Sequence, residues 1–496
     1  MRHLRSALAS AIAASLLASC NGTNSTPPVS SMPQVLRARA GGWTRVPAAP
    51  PFTHGASTAI QMTDGTVLVQ DYCTSDWYPL VPNKNGSYLN GTWGPKTSMP
   101  STYAPAAFAS AILPDGKLIV EGGEYYWSGS GCNGAYTKDG AIYDPIANTW
   151  KPVKPPRGWT RIGDAPSAVL ADGTFLLANC CNYEQALLDE ASTTWKIVGT
   201  GKADNNNEEG WTLLRNGEVL VPEVYGAPNS EVFDPKSERW STAGTLPQNV
   251  TQSFEIGPQT MMADNNVFVI GANQYTAIYN GTTGKWSQGP NNPTVNGVQY
   301  DAADAPSSLL PDGEGMIAES PGLNTPPTQF YLFTEKKFTA VSNPPNAGGD
   351  MSANIRLLVL PTGQILETDQ TLDVEVYTSK GAAVKSGIPE IASVPKTLVH
   401  GRTYKISGKR FNGLSQANFF GDDDQQATNY PLVRSINTAS GTVTYARTHG
   451  FSYMGVGSNR NVSAMFDLPS KIMAGASTLQ VVTNGIASSP VSVKIH

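Results

Sequence analysis

The stretch that decides the fold is Ser110–Val120, SAILPDGKLIV, in which two apolar runs flank Pro114-Asp115-Gly116. Asp-Gly between apolar runs predicts a β-hairpin, because Gly supplies the positive φ that a tight turn requires. The same unit recurs about every 50 residues, which predicts a repeated β architecture. The seven copies are centred on Gly65, Gly116, Gly173, Gly217, Asn265, Gly313 and Gly363.

A second set of residues follows the hairpins with the same period. Six pairs mark the outer strands of the units: Tyr88 with Trp93, Tyr143 with Trp150, Leu188 with Trp195, Phe233 with Trp240, Tyr279 with Trp286, and Tyr331 with Phe338. The seventh unit reaches Tyr377 without a following Trp, and the missing one stands near the amino terminus as Trp43. We therefore predict that the amino-terminal strand completes the last unit, since closure removes exposed sheet edges. The period predicts a seven-bladed kelch-type β-propeller over residues 39–385.

Composition agrees with an all-β protein and excludes some functions. The chain has 496 residues, enough for one large domain and a smaller one. Its 48 Gly and 37 Pro residues favour many turns. A net charge of −5, with charged residues at 15% and no basic patch, argues against nucleic acid as a partner.

Residues 388–496 form a second predicted domain. Short strands are predicted at Thr403–Ser407, Ala417–Phe420, Thr442–Tyr445, Val462–Asp467, Ser477–Thr483 and Val491–Ile495. This spacing predicts an Ig-like β-sandwich, without the Cys pair that joins the two sheets of antibody domains. Within it, Asp422-Asp423-Asp424 is interpreted as a solvated turn, with Ca²⁺ binding as the alternative.

The first residues predict export and lipidation. Arg2 and Arg5 precede the short apolar run Ala7–Leu17, and Leu17-Ala18-Ser19-Cys20 resembles the lipobox of bacterial lipoproteins. We expect a signal peptide over residues 1–19, lipidation of Cys20 and a flexible tether over residues 20–38. An ordinary secretory signal is the alternative. Since no Asp follows Cys20, we expect the outer membrane of a bacterial cell envelope, on its periplasmic or surface side.

Two further features allow several interpretations. Cys73, Cys132, Cys180 and Cys181 allow three disulfide pairings, of which contacts between neighbouring blades are one option. An insertion over residues 123–140 contains four aromatic residues that either stack on sugars or partner proteins or pack on their own blade. These aromatic residues are Tyr125, Tyr126, Trp127 and Tyr136.

A lipoprotein signal, a kelch propeller and an Ig-like domain containing Arg447-Thr448-His449 and Leu479-Gln480-Val481-Val482 together resemble the galactose-oxidase-like group. The chain is most similar to bacterial kelch-repeat members of that group. The resemblance implies the architecture. It also implies a test for copper, since the oxidases of the group use a Tyr cross-linked to a Cys, a Tyr next to a His, and a His from the Ig-like domain.

The copper ligands are not retained. At the corresponding positions stand Ala56 for the Cys, Ala107 for the cross-linked Tyr, and Ala353-Asn354 for the Tyr-His pair. Only His449 matches, and Trp127 lies near the place of the stacking Trp. A Cu(II) site needs several nitrogen and oxygen ligands, so the sequence argues against galactose-oxidase-like chemistry. His449 is then a structural residue at the domain interface.

Acidic residues occupy the same positions in other units. About nine residues before the hairpin turn stand Asp164, Glu208, Asp304 and Asn354, with Glu255 one place earlier in its unit. Because this offset marks the start of the innermost strand, we expect these side chains to gather at one mouth of the central channel. Arg161, Glu209 and Asp350 lie nearby in the sequence.

Three interpretations of this acidic mouth stay open. The carboxylates accept structural hydrogen bonds, or they bind a hard cation such as Ca²⁺, or two of them act as acid and base on a glycan. The first function we consider is an envelope protein that binds carbohydrate or protein without catalysis, through Arg161, Glu209, Asn354 and Trp127. The alternative is a glycan-active hydrolase or lyase that uses Asp164, Glu208 and Asp304. No motif decides whether the protein is an enzyme.

Overall fold

The computed structural model describes residues 41–128 and 131–496. The predicted signal peptide, Cys20 and the tether lie outside these residues. Regular structure in the described residues is nearly all β, and its helices are two single 3₁₀ turns, Ser352–Asn354 and Lys385–Gly387. No helix in this part of the chain is long and apolar enough to cross a membrane.

Seven antiparallel sheets, each containing one predicted hairpin, follow one another between residues 42 and 378 of the described chain. From the first strand outward, sheet 1 contains Ala56–Gln61, Val67–Asp71, Asp76–Val81, Thr92–Trp93 and Thr97–Ser98; sheet 2, Ala109–Ile112, Leu118–Glu121, Gly140–Asp144 and Thr149–Val153; sheet 3, Ser167–Val169, Phe175–Ala178, Gln185–Asp189 and Thr194–Val198; sheet 4, Thr212–Leu213, Val219–Pro222, Asn229–Asp234 and Arg239–Thr245; sheet 5, Gln259–Met261, Asn266–Ile270, Thr276–Asn280 and Lys285–Gln288; sheet 6, Ser307–Leu309, Gly315–Glu319, Gln329–Thr334 and Lys337–Ala340; sheet 7, Arg356–Val359, Ile365–Thr368, Glu375–Thr378 and Gly42–Arg45.

The hairpin turns have the backbone conformation that the sequence requires. The third residue of each turn, Gly in six sheets and Asn265 in sheet 5, has φ between +78° and +95°. Only Gly and a few polar residues such as Asn adopt this left-handed region readily. The seven predicted hairpins are confirmed.

The amino-terminal strand completes sheet 7, as predicted. Gly42–Arg45 pairs antiparallel with Glu375–Thr378, and Trp43 lies opposite Tyr377. The Trp43 ring packs 5.2 Å from that of Tyr377 and 4.9 Å from that of Phe330 in sheet 6. The first strand of sheet 7 contacts the first strands of both sheet 6 and sheet 1. The last sheet therefore lies beside the first.

The pairs predicted to mark the outer strands are cross-strand neighbours in sheets 2 to 5: Tyr143 with Trp150, Leu188 with Trp195, Phe233 with Trp240, and Tyr279 with Trp286. Sheet 6 differs, because Phe333 rather than Tyr331 lies opposite Phe338. Sheet 1 differs as well, because Leu80 lies opposite Trp93 and Tyr88 lies in the connecting loop. The buried Tyr88 hydroxyl donates to the carbonyl oxygen of Gly65, at 2.5 Å.

The carboxyl-terminal region forms a sheet system of its own. Its strands are Glu390–Ser393, Thr397–Leu398, Thr403–Lys409, Leu432–Asn437, Val443–His449, Asn461–Asp467, Gly475–Thr483, Ile486–Ala487 and Val491–Ile495. Val443–His449 joins two halves of this system, since it pairs with Leu432–Asn437 and with Asn461–Asp467. Apolar residues such as Ile406, Phe466 and Val481 are buried in its core.

The prediction that Ala417–Phe420 is a strand of the carboxyl-terminal sandwich is wrong. Asn418–Phe419 instead pairs with Ser307–Leu309 and adds a fifth strand to sheet 6 on its inner side. The backbone N–H of Leu309 donates to the carbonyl oxygen of Ala417, at 2.7 Å. The unpaired inner edge of a first strand offers such hydrogen bonds, and sequence pattern does not show which edge a short strand will meet.

Residues 411–430, here called the channel segment, lie inside the ring of first strands. Apart from the half-buried Ala427, every residue of the segment is buried. Besides sheet 6 it hydrogen-bonds to sheets 1, 2, 4 and 7, through Gln426 Nε2 to Ala59 O, Ser110 Oγ to Gln425 O, Leu213 N to Gln416 Oε1, and Val359 N to Asn418 Oδ1. The carboxyl-terminal region therefore fills the space between the sheets.

Candidate functional site

The structure brings five acids together at one end of the first strands. Asp164, Glu208, Glu255 and Asp304 precede the first strands of sheets 3, 4, 5 and 6, and Asp422 belongs to the channel segment. Carboxylate oxygens of Asp164, Glu208 and Asp422 lie within 4.8 Å of one another. The charges of Glu255 and Asp304 also act on Asp422, which places them nearby. We call these five residues the acidic cluster.

The interpretation of Asp422-Asp423-Asp424 as a solvated turn is wrong. The three side chains are 4%, 1% and 1% exposed, because the channel segment carries them into the ring. Burial of unpaired carboxylates is costly, and the protein compensates one of them with Arg356. The Arg356 guanidinium lies 2.5 Å from Asp424 Oδ2, and Thr58 Oγ1 donates to Asp424 Oδ1 at 2.7 Å.

Burial and mutual repulsion raise the pKa values of the cluster. Burial, followed by the charge of Asp164, raises the pKa of Glu208 to about 11. Burial and the Asp304 charge raise the pKa of Glu255 to about 8. Burial raises the pKa of Asp304 to about 7, although the positive charge of Arg356 opposes this shift. The pKa values of Asp164 and Asp422 are also raised, first by burial. The cluster therefore favours bound protons or a bound cation.

Two fully buried oxygens of the cluster have no hydrogen-bond partner within the described residues. They are Oδ1 of Asp164, which is 3% exposed, and Oδ2 of Asp422. Carboxylate oxygens from three chain segments are the ligands that Ca²⁺ prefers. The arrangement can hold a hard cation or donate and accept protons.

The copper centre of galactose-oxidase-like enzymes does not fit this end of the protein. Ala56, Ala107 and Ala353 offer no ligand there. His449 lies towards the other end of the first strands, since the N–H of the adjacent Thr448 donates to Thr63 O, just beyond the end of Ala56–Gln61. The His449 ring pairs with Asp467 at 3.2 Å.

Exposed aromatic side chains lie beside the acidic cluster or on the insertion next to it, and we call them the aromatic rim. They are Tyr125, Tyr126, Trp127, Tyr136, Tyr225 and Phe254, each 37% to 62% exposed. The charges of Asp164 and Glu208 raise the pKa of Tyr136, after the effect of burial, so its hydroxyl lies near them. Tyr225 and Phe254 stack with ring centroids 5.0 Å apart. The rim offers flat apolar faces next to acidic groups.

The inserted aromatic residues are held in place by sheet pairing and a disulfide. Tyr125–Ser128 pairs with Gly131–Gly134 and with Pro105–Ala106. Cys73 of sheet 1 bonds to Cys132 of this insertion. The Trp127 ring lies 4.4 Å from the ring of His54. The second disulfide joins the adjacent Cys180 and Cys181.

The remaining predicted site residues have different surroundings. Arg161 is exposed and lies 5.9 Å from the centroid of the Tyr136 ring, beside the rim. Asn354 ends the 3₁₀ turn that precedes the first strand of sheet 7. Glu209 is outside the acidic cluster, because it forms a buried ion pair with Lys202 at 3.0 Å.

Sequence reasoning missed two members of this site. Arg356 stands two residues after Asn354. An arginine so close to a position that carries an acid in other units was a signal that it could pair with them. Glu124 follows the Gly pair of sheet 2, and its charge raises the pKa values of Asp164 and Asp304. Asp422 was recognised only as part of an acidic run.

No protein-family model and no curated protein sequence matches the chain. Among solved structures, a fungal alcohol oxidase of the AA5 family in complex with copper is similar over 92% of this chain and 99% of its own. The TM-score is 0.51 and the identity 13%. The fold is an all-β propeller. Virginiamycin B lyase from Staphylococcus aureus, at TM-score 0.48 and 9% identity, covers 68% of this chain and 99% of its own. At these identities the similarity concerns the fold alone.

Proposed function

We propose that the protein is a carbohydrate-binding protein of the bacterial cell envelope. In this proposal the seven sheets are blades of a kelch-type propeller, residues 388–496 are an Ig-like domain, and lipidated Cys20 attaches the chain to the outer membrane. The observation that carries the proposal is the acidic cluster with exposed aromatic side chains such as Tyr136 and Tyr225 beside it. A second occupant consistent with this surface is an envelope protein.

The chemistry of the rim and the cluster favours a sugar. Aromatic faces such as those of Trp127 and Tyr136 stack on the apolar face of a pyranose ring. Carboxylates accept hydrogen bonds from sugar hydroxyl groups, and the Asn354 amide both donates and accepts them. Arg161, beside the rim, pairs with a carboxylate on an acidic sugar. Ca²⁺ on Asp164, Glu208 and Asp422 would neutralise the cluster and bind sugar hydroxyls through its free positions.

A glycan-active hydrolase or lyase is the second candidate, and one observation favours it. Glu208 keeps its proton at neutral pH, with a pKa of about 11, whereas Asp304, with a pKa of about 7, is partly ionised. Two neighbouring carboxyl groups with separated pKa values are what general acid and base catalysis requires. In the hydrolase form, Glu208 protonates the leaving glycosidic oxygen while Asp304 or Asp164 takes a proton from the attacking water. In the lyase form the base takes a proton from the sugar ring, a carbon–carbon double bond forms, and Glu208 protonates the leaving oxygen as the C–O bond breaks.

A glycan array combined with calorimetry and a reducing-sugar assay tests both candidates. We expect glycan binding at micromolar affinity, weakened at least tenfold in Trp127→Ala and in Asp164→Asn, without release of sugar. Glu390→Gln, at an exposed acid of the carboxyl-terminal region, is the matched control and should bind normally. Product release that is lost in Glu208→Gln would establish the enzyme instead. Absence of both binding and turnover across the array would contradict the carbohydrate proposal.

A further inference from the structure

A second group of acids lies in sheet 7, away from the acidic cluster. Glu367 belongs to the second strand, Asp369 follows it, and Glu375 belongs to the third strand. One oxygen from each lies within 4.8 Å of the others, and the three residues are 0%, 2% and 1% exposed. We propose that these three carboxylates bind a divalent cation of the Ca²⁺ type, which stabilises the closure of the propeller. This site is independent of whether the protein binds sugar.

The sheet pairing places two like charges directly opposite each other. Glu367 and Glu375 are Cα partners in the antiparallel ladder. Opposed like charges weaken a sheet, and burial removes the water that would screen them. No other group of the described residues donates to their four carboxylate oxygens, and the two carboxyl groups lie within hydrogen-bond reach of each other. A cation between the two strands supplies the missing positive charge.

A fourth acid reaches the group from a different part of the chain. Asp350, in the loop before sheet 7, is 6% exposed, and its Oδ2 has no hydrogen-bond partner in the described structure. Its carboxyl group contacts that of Asp369. This buried side chain is not one of the three clustered residues, and its charge also raises the pKa of Glu367, which places it beside the group. Ca²⁺ takes six to eight oxygen ligands, so water molecules would complete the coordination that the three carboxylates begin.

Two other sheets have a buried Glu near the end of the second strand without a second acid opposite it. Glu319 in sheet 6 and Glu121 in sheet 2 also lie at the ends of second strands and are 0% exposed. The residue opposite is Gln329 for Glu319 and Gly140 for Glu121. A buried Glu near the end of a second strand therefore occurs in this fold without an opposed acid. In sheet 7, by contrast, a second acid, Glu375, lies opposite Glu367, and a third, Asp369, follows Glu367 by two residues.

The nearest arginine does not neutralise the group. Arg45 lies opposite Glu375 in the register, but its guanidinium pairs with Asp373 and the side chain is 55% exposed. Arg45 belongs to the amino-terminal strand, Gly42–Arg45, that completes sheet 7. A cation on Glu375 therefore fixes the strand against which the amino-terminal strand pairs.

Calorimetric titration of the EDTA-treated protein with Ca²⁺ tests the site. The titration uses an Asp164→Asn/Glu208→Gln background, so that binding at the acidic cluster does not contribute. We expect one Ca²⁺ per chain and a rise in unfolding temperature at pH 8. Adding Glu367→Gln and Glu375→Gln should weaken Ca²⁺ binding at least tenfold and remove the rise. Adding Glu319→Gln instead should change neither, since that Glu has no acidic neighbour across the strand.

Three outcomes would overturn the proposal. The first is that the background protein binds no Ca²⁺, which would mean that the acids share protons instead. The second is that Glu367→Gln and Glu375→Gln leave Ca²⁺ affinity unchanged. The third is that Ca²⁺ does not raise the unfolding temperature. Because Gln has nearly the shape of Glu, the variants are expected to fold, and circular dichroism of each variant checks this.

Discussion

Arg356 of sheet 7 and Asp424 of the channel segment form an ion pair that is almost completely closed to solvent. Nη2 lies 2.5 Å and Nε 2.6 Å from Asp424 Oδ2, and the two side chains are 6% and 1% exposed. The Arg356 guanidinium also lies 3.8 Å from the centroid of the Phe420 ring. This contact joins the carboxyl-terminal region to the ring of first strands beside the acidic cluster.

Removing the Asp424 charge should destabilise the protein strongly. Asp424→Asn leaves Arg356 buried without its partner, which costs about 3–5 kcal/mol of unfolding free energy. The measurement is the midpoint of guanidinium unfolding. Asp76→Asn is the matched control, since its pair with Lys96 is largely exposed and such pairs contribute about 0–1 kcal/mol. Equal effects of the two substitutions would contradict the role given to Arg356 and Asp424.

Trp43 should be important for stability although it lies in the first described strand. Its ring packs on Phe330 and Tyr377, and its Nε1 donates to Ser342 O at 2.7 Å. We expect Trp43→Ala to lower the unfolding free energy by about 2 kcal/mol, less than for a fully buried aromatic residue because the ring is half-buried. Thermal unfolding compares it with Trp127→Ala, which removes an exposed ring. If both variants unfold like the wild type, the amino-terminal strand does not hold the ring closed.

The two disulfides should differ in what they contribute. Cys73–Cys132 closes a separation of 59 residues, and loop entropy predicts about 4 kcal/mol of stabilisation. Cys180–Cys181 joins neighbours, so it restricts the unfolded chain little. The unfolding midpoint of Cys73→Ala/Cys132→Ala should therefore fall well below that of Cys180→Ala/Cys181→Ala. The opposite order would show that the adjacent disulfide holds native structure by other means.

Stability without added cations should fall as the pH rises from 5 to 8. Burial, followed by the charges of Glu231 and Asp204, raises the pKa of Glu223 to about 7, and burial raises that of Asp301 to about 6. In the unfolded chain such groups ionise near pH 4, so the native state binds more protons above that pH. The stabilisation is complete below pH 4 and is lost as the pH passes each native pKa.

Thermal unfolding in EDTA at pH 5, 6, 7 and 8 measures this dependence. Glu223→Gln should make the fall between pH 5 and pH 8 shallower, because one of the titrating groups is removed. Glu390→Gln, at an exposed carboxylate, should leave the slope unchanged. A stability that rises towards pH 8 in EDTA would show that the buried acids are ionised and compensated in the native protein.

Much of the fold was predictable because it is repeated. Each Asp-Gly turn and each outer Trp depends on residues close together in the sequence, and seven copies make the pattern clear. The seventh unit lacks its outer Trp, and this predicted that the amino-terminal strand closes the ring. The pairing of Trp43 with Tyr377 confirms that prediction. Counting back from the turns also located Asp164, Glu208 and Asp304, because their distance from the hairpin is a local property.

The channel segment was not predictable in the same way. Its three consecutive acids are typical of a solvated turn, and its short strand is typical of a sandwich. Their actual environment comes from sheets up to several hundred residues away in the chain, such as the Thr58 hydroxyl that donates to Asp424. The pairing of Cys73 with Cys132, 59 residues apart, likewise depended on a contact that is not local in the sequence.

The sequence by itself determined the repeated hairpins, their closure by the amino-terminal strand and the acids at the start of the first strands, because these follow from local backbone preference and a fixed period. Only the tertiary structure decided that Asp422 completes the acidic cluster, that Arg356 neutralises Asp424, and that Glu367 faces Glu375. The first two require the channel segment to pack inside the ring of first strands, and the third depends on the register of two neighbouring strands of sheet 7. A buried carboxylate loses its hydration, so it needs a bound proton, a positively charged partner or a cation.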